Sequence, residues 1–138
     1  MRFYITILAL MICFSAKAQT DFLGKNEKYI KGYIKYIHVY VFQDSTVTIK
    51  GNDEVTTLVY HPIDSDTTGL MPITFLFKND TCKLFMISST LSDLPIMVTS
   101  LNKHYQRLDD SHWIDKSNTY EATLDKQTNG FYISFKKL

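Results

Sequence analysis

Apolar and polar residues alternate along two neighbouring segments in the middle of the chain, 73–78 and 81–87, which are separated by Asn79-Asp80. Alternation with a period of two predicts β-strands, and asparagine and aspartate tolerate the positive φ angles of a tight hairpin turn. A two-residue loop places Phe77 opposite Cys82. The resulting hairpin, which we predict to be the centre of the core, has one apolar face made of Ile73, Phe75, Phe77, Cys82, Leu84 and Met86.

Two other segments repeat their apolar residues at the three- and four-residue spacing of an amphipathic helix. The first begins after Asn26, a predicted N-cap, and its apolar stripe consists of Ile30, Tyr33, Ile34 and Ile37. The second is predicted over 93–107, with Pro95 in its first turn and a stripe made of Leu94, Val98, Leu101, Tyr105 and Leu108. We interpret the remaining surface of the first helix as solvated, with snorkelling side chains at Lys25, Lys28, Lys31 and Lys35.

Six further segments are predicted to be strands: 39–43, 46–50, 54–60, 111–116, 119–126 and 131–136. The first two are predicted to form a hairpin across Asp44-Ser45. The last two meet at Asn129-Gly130, the strongest turn dipeptide of the chain, where the pattern leaves a two-residue and a four-residue loop open. Either loop keeps Leu124 on the face of Phe131.

The predicted order is therefore helix, five strands, helix, three strands. Short links between strands favour antiparallel pairing, and each helix has one apolar stripe to bury. We expect an α+β fold: a single domain with a mostly antiparallel sheet of about eight strands and both helices packed on one face.

Residues 1–18 have the pattern of a signal peptide. Arg2 precedes an apolar run from Phe3 to Phe14, and Ala16-Lys17-Ala18 matches an A-x-A cleavage site before Gln19. The apolar run is shorter than the roughly 20 residues of a membrane span. We therefore expect a domain of residues 19–138 that is periplasmic or secreted, with no stable membrane anchor after signal cleavage.

The charge balance limits the partners that we expect, and the cysteine content limits the disulfides. Removal of residues 1–18 takes away Arg2 and Lys17 and no acidic residue, so 13 basic side chains remain against 14 acidic ones. This balance gives no electrostatic reason to expect nucleic acid as a partner. Cys82 becomes the only cysteine, which excludes an internal disulfide.

The acidic loop 62–70 contains the candidate metal ligands. Asp64-Ser65-Asp66-Thr67-Thr68 matches the D-x-D-x-T motif of phosphatases that use an aspartate nucleophile, but their chemistry needs a parallel strand and a following helix, which this segment lacks. As a calcium loop it would have Phe75 where an EF-hand has glutamate. Asp64 and Asp66 are therefore weak metal candidates in a loop that we interpret as solvated. We predict no cofactor and no catalytic residue.

Other chemistry-bearing residues are isolated in sequence. The four histidines have no metal-ligand spacing, and Ser111-His112 has no nucleophile elbow around it. Cys82 faces the predicted core, where a thiol is inert. Trp113, the only tryptophan, is placed opposite Ala122 by a turn at Ser117-Asn118, and we predict that it packs against the second helix.

An ordered set of core residues resembles a loose family of small exported Bacteroidetes proteins. The landmarks in this chain are the A-x-A signal before Gln19, the segment 73–77, Cys82, Leu101-Asn102, Tyr105, Trp113 and the closing segment 131–135. Because these landmarks are core positions, the resemblance implies an exported setting and a fold, and it implies no site.

Three functional hypotheses follow. The first is a non-catalytic binding or interaction module of the cell envelope, which meets an unidentified protein or envelope component through a sheet face or loop 62–70. The tyrosine-rich strands favour it, with Tyr36, Tyr60 and Tyr132 expected on the outer sheet face. The second is a small metal-dependent hydrolase built on Asp64 and Asp66, which calorimetric titration with Ca²⁺, Mg²⁺ and Zn²⁺ would test. The third is a structural envelope protein that homo-oligomerises through a sheet edge.

Overall fold

The computed structural model describes residues 21–64 and 71–138. These residues contain two α-helices, one short 3₁₀ helix at Leu91–Asp93, and eight strands. The predicted signal peptide, the boundary at residue 19 and most of loop 62–70 lie outside the described residues. The elements are α1 (Glu27–Ile37), β1 (Tyr40–Lys50), β2 (Asp53–Pro62), β3 (Ile73–Lys78), β4 (Thr81–Ser89), α2 (Leu94–His104), β5 (Gln106–Arg107), β6 (His112–Ile114), β7 (Tyr120–Lys126) and β8 (Phe131–Lys137).

All eight described strands pair antiparallel in one sheet, in the order β1-β2-β3-β4-β8-β7-β6-β5. The chain runs from one edge to the centre as a meander. After α2 it begins again at the opposite edge and returns to the centre, where β8 pairs with β4. Each meander follows one helix, and the predicted α+β fold class is confirmed.

Both helices cover the same face of the sheet. Phe22, just before α1, contacts the rings of Phe75 and Phe85 at 5.2 and 5.7 Å between centroids. Tyr105, just after α2, contacts Phe135 at 6.2 Å. Because Phe85 and Phe135 are direct cross-strand partners with stacked rings, the two helices share one aromatic core.

The predicted turn at Asn79-Asp80 is confirmed, with φ angles of 49° and 56°, but the predicted hairpin face is wrong beyond it. Phe77 lies opposite Cys82 as expected, whereas Leu76 lies opposite Leu84, so Lys83 is an extra residue in β4. This β-bulge shifts the alternation by one residue. Phe85 and Ile87 are consequently buried under the helices, and the predicted core residues Leu84 and Met86 are half-buried on the opposite face.

The predicted hairpin across Asp44-Ser45 is also wrong, because 40–50 forms one continuous strand that pairs with β2. Strand β1 continues to the turn at Gly51-Asn52, where Gly51 takes a φ of 64° that favours glycine. A register shift between Phe42 and Asp44 leaves Gln43 as an extra residue. A ten-residue strand pair with β2 replaces the two short strands, since it satisfies more backbone groups.

Helix α2 is shorter than predicted. It ends at His104, and Tyr105 is already extended, with φ −123° and ψ 156°. Leu108, the last residue of the predicted stripe, is therefore outside the helix and exposed.

The N-cap prediction for α1 is confirmed. Asn26 Oδ1 accepts the N–H of Tyr29 at 2.8 Å. Asp80 Oδ1, in the hairpin turn, accepts the N–H of Glu27 at 3.0 Å.

The loop at Asn129-Gly130 has four residues, because Lys126 and Phe131 are the last paired residues. Leu124 and Phe131 are both buried, as predicted. A Cβ at Gly130 would lie 2.5 Å from the Ser89 carbonyl oxygen, so glycine is required there for packing.

In the described parts of the chain, no helix has the length and apolar character needed to cross a membrane.

We expect Trp113→Ala to lower the free energy of unfolding by about 3–5 kcal/mol, as for other buried aromatic residues. The predicted packing of Trp113 is confirmed: its side chain is 0 % exposed, it lies opposite Ala122, and its Nε1–H donates to Asn102 Oδ1 of α2 at 2.8 Å. Urea titration measures the change, with Tyr36→Ala, an exposed aromatic on α1, as the control. Tryptophan emission that is water-like and easily quenched by acrylamide would contradict this placement.

Candidate functional site

Strand β1 presents apolar side chains to solvent on both of its faces. Val41 and Phe42 are 52 % and 50 % exposed, and Val47 and Ile49 are 60 % and 75 % exposed. The strand pairs with β2 on one side, and the described residues place no strand on its other side. An exposed, apolar edge strand of this length indicates an interaction surface.

A groove of about 340 Å³ lies between α1 and the start of β1. Six residues line the groove: Lys31, Ile34, Lys35, Tyr40, Phe42 and Tyr60. The floor is aromatic, because the rings of Phe42 and Tyr60 meet edge to face at 5.8 Å. The wall is fixed by the buried side chain of Ile34 on α1.

Tyr40 anchors the end of this groove. Its hydroxyl donates to the Met71 carbonyl oxygen at 3.0 Å, which ties β1 to the segment that leads into β3. The phenol of Tyr40 is neutral at physiological pH, and burial raises its pKa further above the ordinary value. The groove therefore has an uncharged floor.

The rim of the groove carries positive charge from α1. Lys31 pairs with Glu27 at 2.5 Å, whereas no ion pair of Lys35 occurs within 21–64 and 71–138. An apolar floor with a basic rim fits a ligand that combines apolar groups with carboxylates.

The weak metal candidates are not brought together by the described structure. Asp64 lies just after β2, and Asp66 lies outside the described residues. Among the residues that are described, no group of three or more His, Cys, Asp and Glu side chains could hold a metal ion. The hypothesis of a metal site in the acidic loop stays a hypothesis without a supporting geometry.

Ser111, His112 and Asp109 are close to one another, but they are not arranged as a catalytic triad. Both the Ser111 hydroxyl and the Asp109 carboxylate contact His112 Nδ1, at 3.1 and 3.0 Å. A triad needs the serine and the carboxylate on opposite ring nitrogens. The Ser111 backbone N–H donates to Asp109 at 2.8 Å, so the cluster closes the turn between β5 and β6.

Cys82 is enclosed in the core. Its backbone N–H donates to the Lys25 carbonyl, and its carbonyl accepts the N–H of Gly24, both at 2.8 Å. The segment before α1 therefore pairs with the first residues of β4. These residues precede Leu84, where the pairing of β4 with β8 begins. Burial raises the pKa of the Cys82 thiol to about 12, which removes the thiolate needed for nucleophilic chemistry.

The three tyrosines expected on the outer sheet face lie in three different places. Tyr132 is on that face and partly exposed, whereas Tyr60 is buried under α1 and Tyr36 is exposed on the helix. The prediction of a tyrosine patch on the outer sheet face is therefore wrong. The surface that sequence reasoning missed is β1, although the alternation of Val47 and Ile49 with threonines already indicated an apolar face.

No family model, no curated protein sequence and no solved structure matches the chain.

We expect Cys82 to resist iodoacetamide at pH 8 until the protein unfolds. A pKa raised from 9 to about 12 lowers the thiolate fraction about a thousandfold, and the side chain is also inaccessible. Mass spectrometry follows the labelling, with the protein in guanidinium as the control that labels at the rate of a free thiol. Rapid labelling of the native protein would contradict this environment.

We expect Asp109 to make stability depend on pH in the acid range. The Ser111 N–H and the His112 ring lower the pKa of Asp109 from 3.8 to about 2. A pKa lowered in the folded state stabilises the protein above the unfolded value, near pH 4, and this contribution is lost as pH falls through about 2. The difference in urea midpoint between the wild type and Asp109→Asn should therefore shrink between pH 6 and 2.5; a constant difference would contradict it.

Proposed function

We propose that the protein is an exported, non-catalytic binding module of the cell envelope. Its ligand surface is the groove between α1 and β1, and the occupant is an extended segment of a partner protein that carries apolar side chains next to acidic ones. The groove carries this proposal, because it combines an exposed aromatic floor with a basic rim.

The ligand class follows from the two parts of the groove. The ring of Phe42 is half exposed and already lies against Tyr60, so an incoming apolar side chain would complete a partly built aromatic cluster. Lys35 on the rim would pair with a carboxylate of the same segment. A single apolar side chain with a nearby carboxylate satisfies both parts.

Export rests on residues 1–18 and on the resemblance to exported proteins. A fusion of these residues to a reporter that is active only outside the cytoplasm tests it. The hydrolase hypothesis built on Asp64 and Asp66 needs a metal site, and no group of metal-ligating side chains is found within 21–64 and 71–138, so we do not propose it as the function.

The groove is tested by fluorescence titration of labelled peptides. We expect a peptide of alternating leucine, phenylalanine and glutamate to bind, and its counterpart with lysine in place of glutamate to bind at least about tenfold more weakly, because like charges meet at the rim. Phe42→Asp and Lys35→Glu should each weaken the acidic peptide at least about tenfold.

Val41→Asp is the matched control, because Val41 is exposed to nearly the same fraction as Phe42 and points to the opposite face of β1. It should leave peptide binding unchanged. Equal binding of the two peptides, or equal effects of the substitutions at 41 and 42, would overturn the assignment of the groove. The peptide found in this way then serves as competitor in a pull-down from envelope extract.

A further inference from the structure

We propose that two copies of the chain pair antiparallel through β1, about a two-fold axis at Val47, so that one sheet continues through both copies. The inference is independent of the groove, because Phe42 and Tyr40 lie before the segment that pairs. It rests on the direction of the backbone groups, the position of the bulge and the charges of β1.

The outward-facing backbone groups of β1 follow from the hydrogen bonds of its neighbours. Asn79 N–H donates to the Glu54 carbonyl, so Glu54 directs its backbone groups towards β3. Backbone groups alternate in direction along a strand, and Val55, the next residue, therefore faces β1. Its partner Thr48 faces β2 in return. The same alternation directs the backbone N–H and C=O groups of Ser45, Val47 and Ile49 outward, away from β2.

The bulge at Gln43 limits the regular part of the edge. Between it and the turn at Gly51 lies one uninterrupted stretch of seven residues, 44–50, whose midpoint is Val47. Val47 is also one of the residues with outward backbone groups. A two-fold axis at this residue makes Val47 pair with Val47 of the second copy through two hydrogen bonds, and Ser45 pair with Ile49 on each side.

The charges agree with this register. Pairing about Val47 places Asp44 opposite Lys50 of the second copy, and Lys50 opposite its Asp44. Neither residue has an ion pair within the described part of the chain. Registers centred one residue earlier or later pair Asp44 with Thr48 or Asn52, without any opposite charge. Opposite charges directly across two strands stabilise their pairing.

The side chains on the two faces also match. Thr46 meets Thr48 on the face of the charged pairs, a favourable cross-strand pair. On the helix face, the exposed Val47 and Ile49 gain apolar neighbours from the second copy.

Asp44 Oδ1 accepts the N–H of Ser45 at 2.8 Å in the single chain. In the pair, the carboxylate turns to Lys50 and that N–H donates to Ile49.

The test is a pair of charge reversals measured by sedimentation equilibrium at 50 mM salt and at protein concentrations up to about 1 mM. The paired stretch is shorter than standard interfaces require, so the association is expected to be weak. We expect a concentration-dependent dimer for the wild type. Asp44→Lys and Lys50→Asp should each raise its dissociation constant at least about tenfold, because each creates two like-charged pairs.

Mixing the two variants tests the register itself. A dimer with one copy of each variant has both charge pairs opposite again, so dimerisation should return to within about threefold of the wild type. This rescue also excludes misfolding as the cause of the losses. Lys35→Glu changes the rim of the groove on α1 and leaves β1 unaltered, so it should leave the dimer intact and separates this inference from the groove. A wild type that stays monomeric at every concentration would overturn the inference, and so would variants that are not rescued by mixing.

Discussion

The structure depends on the burial of one face of a single sheet. Phe75, Phe85 and Phe135 form an aromatic row across the central strands, and the rings of Phe22 and Tyr105 attach the two helical segments to it. The chain has no disulfide among its described residues, so this apolar burial is the main source of its stability. Each half of the chain contributes one helix and one meander to the same core.

The two helices are too narrow to cover this sheet completely. Eight strands with spacings of about 4.8 Å span about 34 Å, whereas two helices of about 10 Å each cover about 20 Å. The far edge is completed by Trp113, which fills the space beside α2. Among the described residues, the part of the sheet that the helices leave uncovered is β1, and its apolar side chains are exposed. The candidate binding surface is a direct consequence of the difference in width.

Sequence patterns predicted the fold class, both helices and the pairing of Trp113 with Ala122, because these depend on strong periodicity and on turn residues. They missed two β-bulges. An extra residue such as Lys83 changes which of Leu84 and Phe85 faces the core, and both choices leave a large apolar residue on each face. Only packing decides between them: the ring of Phe85 completes the aromatic row, whereas Leu84 would leave it interrupted.

Sequence patterns did not predict the candidate site, because the polar residues Asp44 and Ser45 fit both a turn and an open strand edge. Asp44-Ser45 indicates a turn because such residues satisfy their own backbone, and Asp44 does accept the N–H of Ser45. An edge strand favours the same residues, since its outward N–H groups need acceptors when no neighbouring strand is present. The local signal is therefore identical for a turn and for an open edge. What distinguishes them is the longer pairing of 44–50 with β2, which no short window contains, and this pairing places Asp44 and Lys50 at equal distances from Val47.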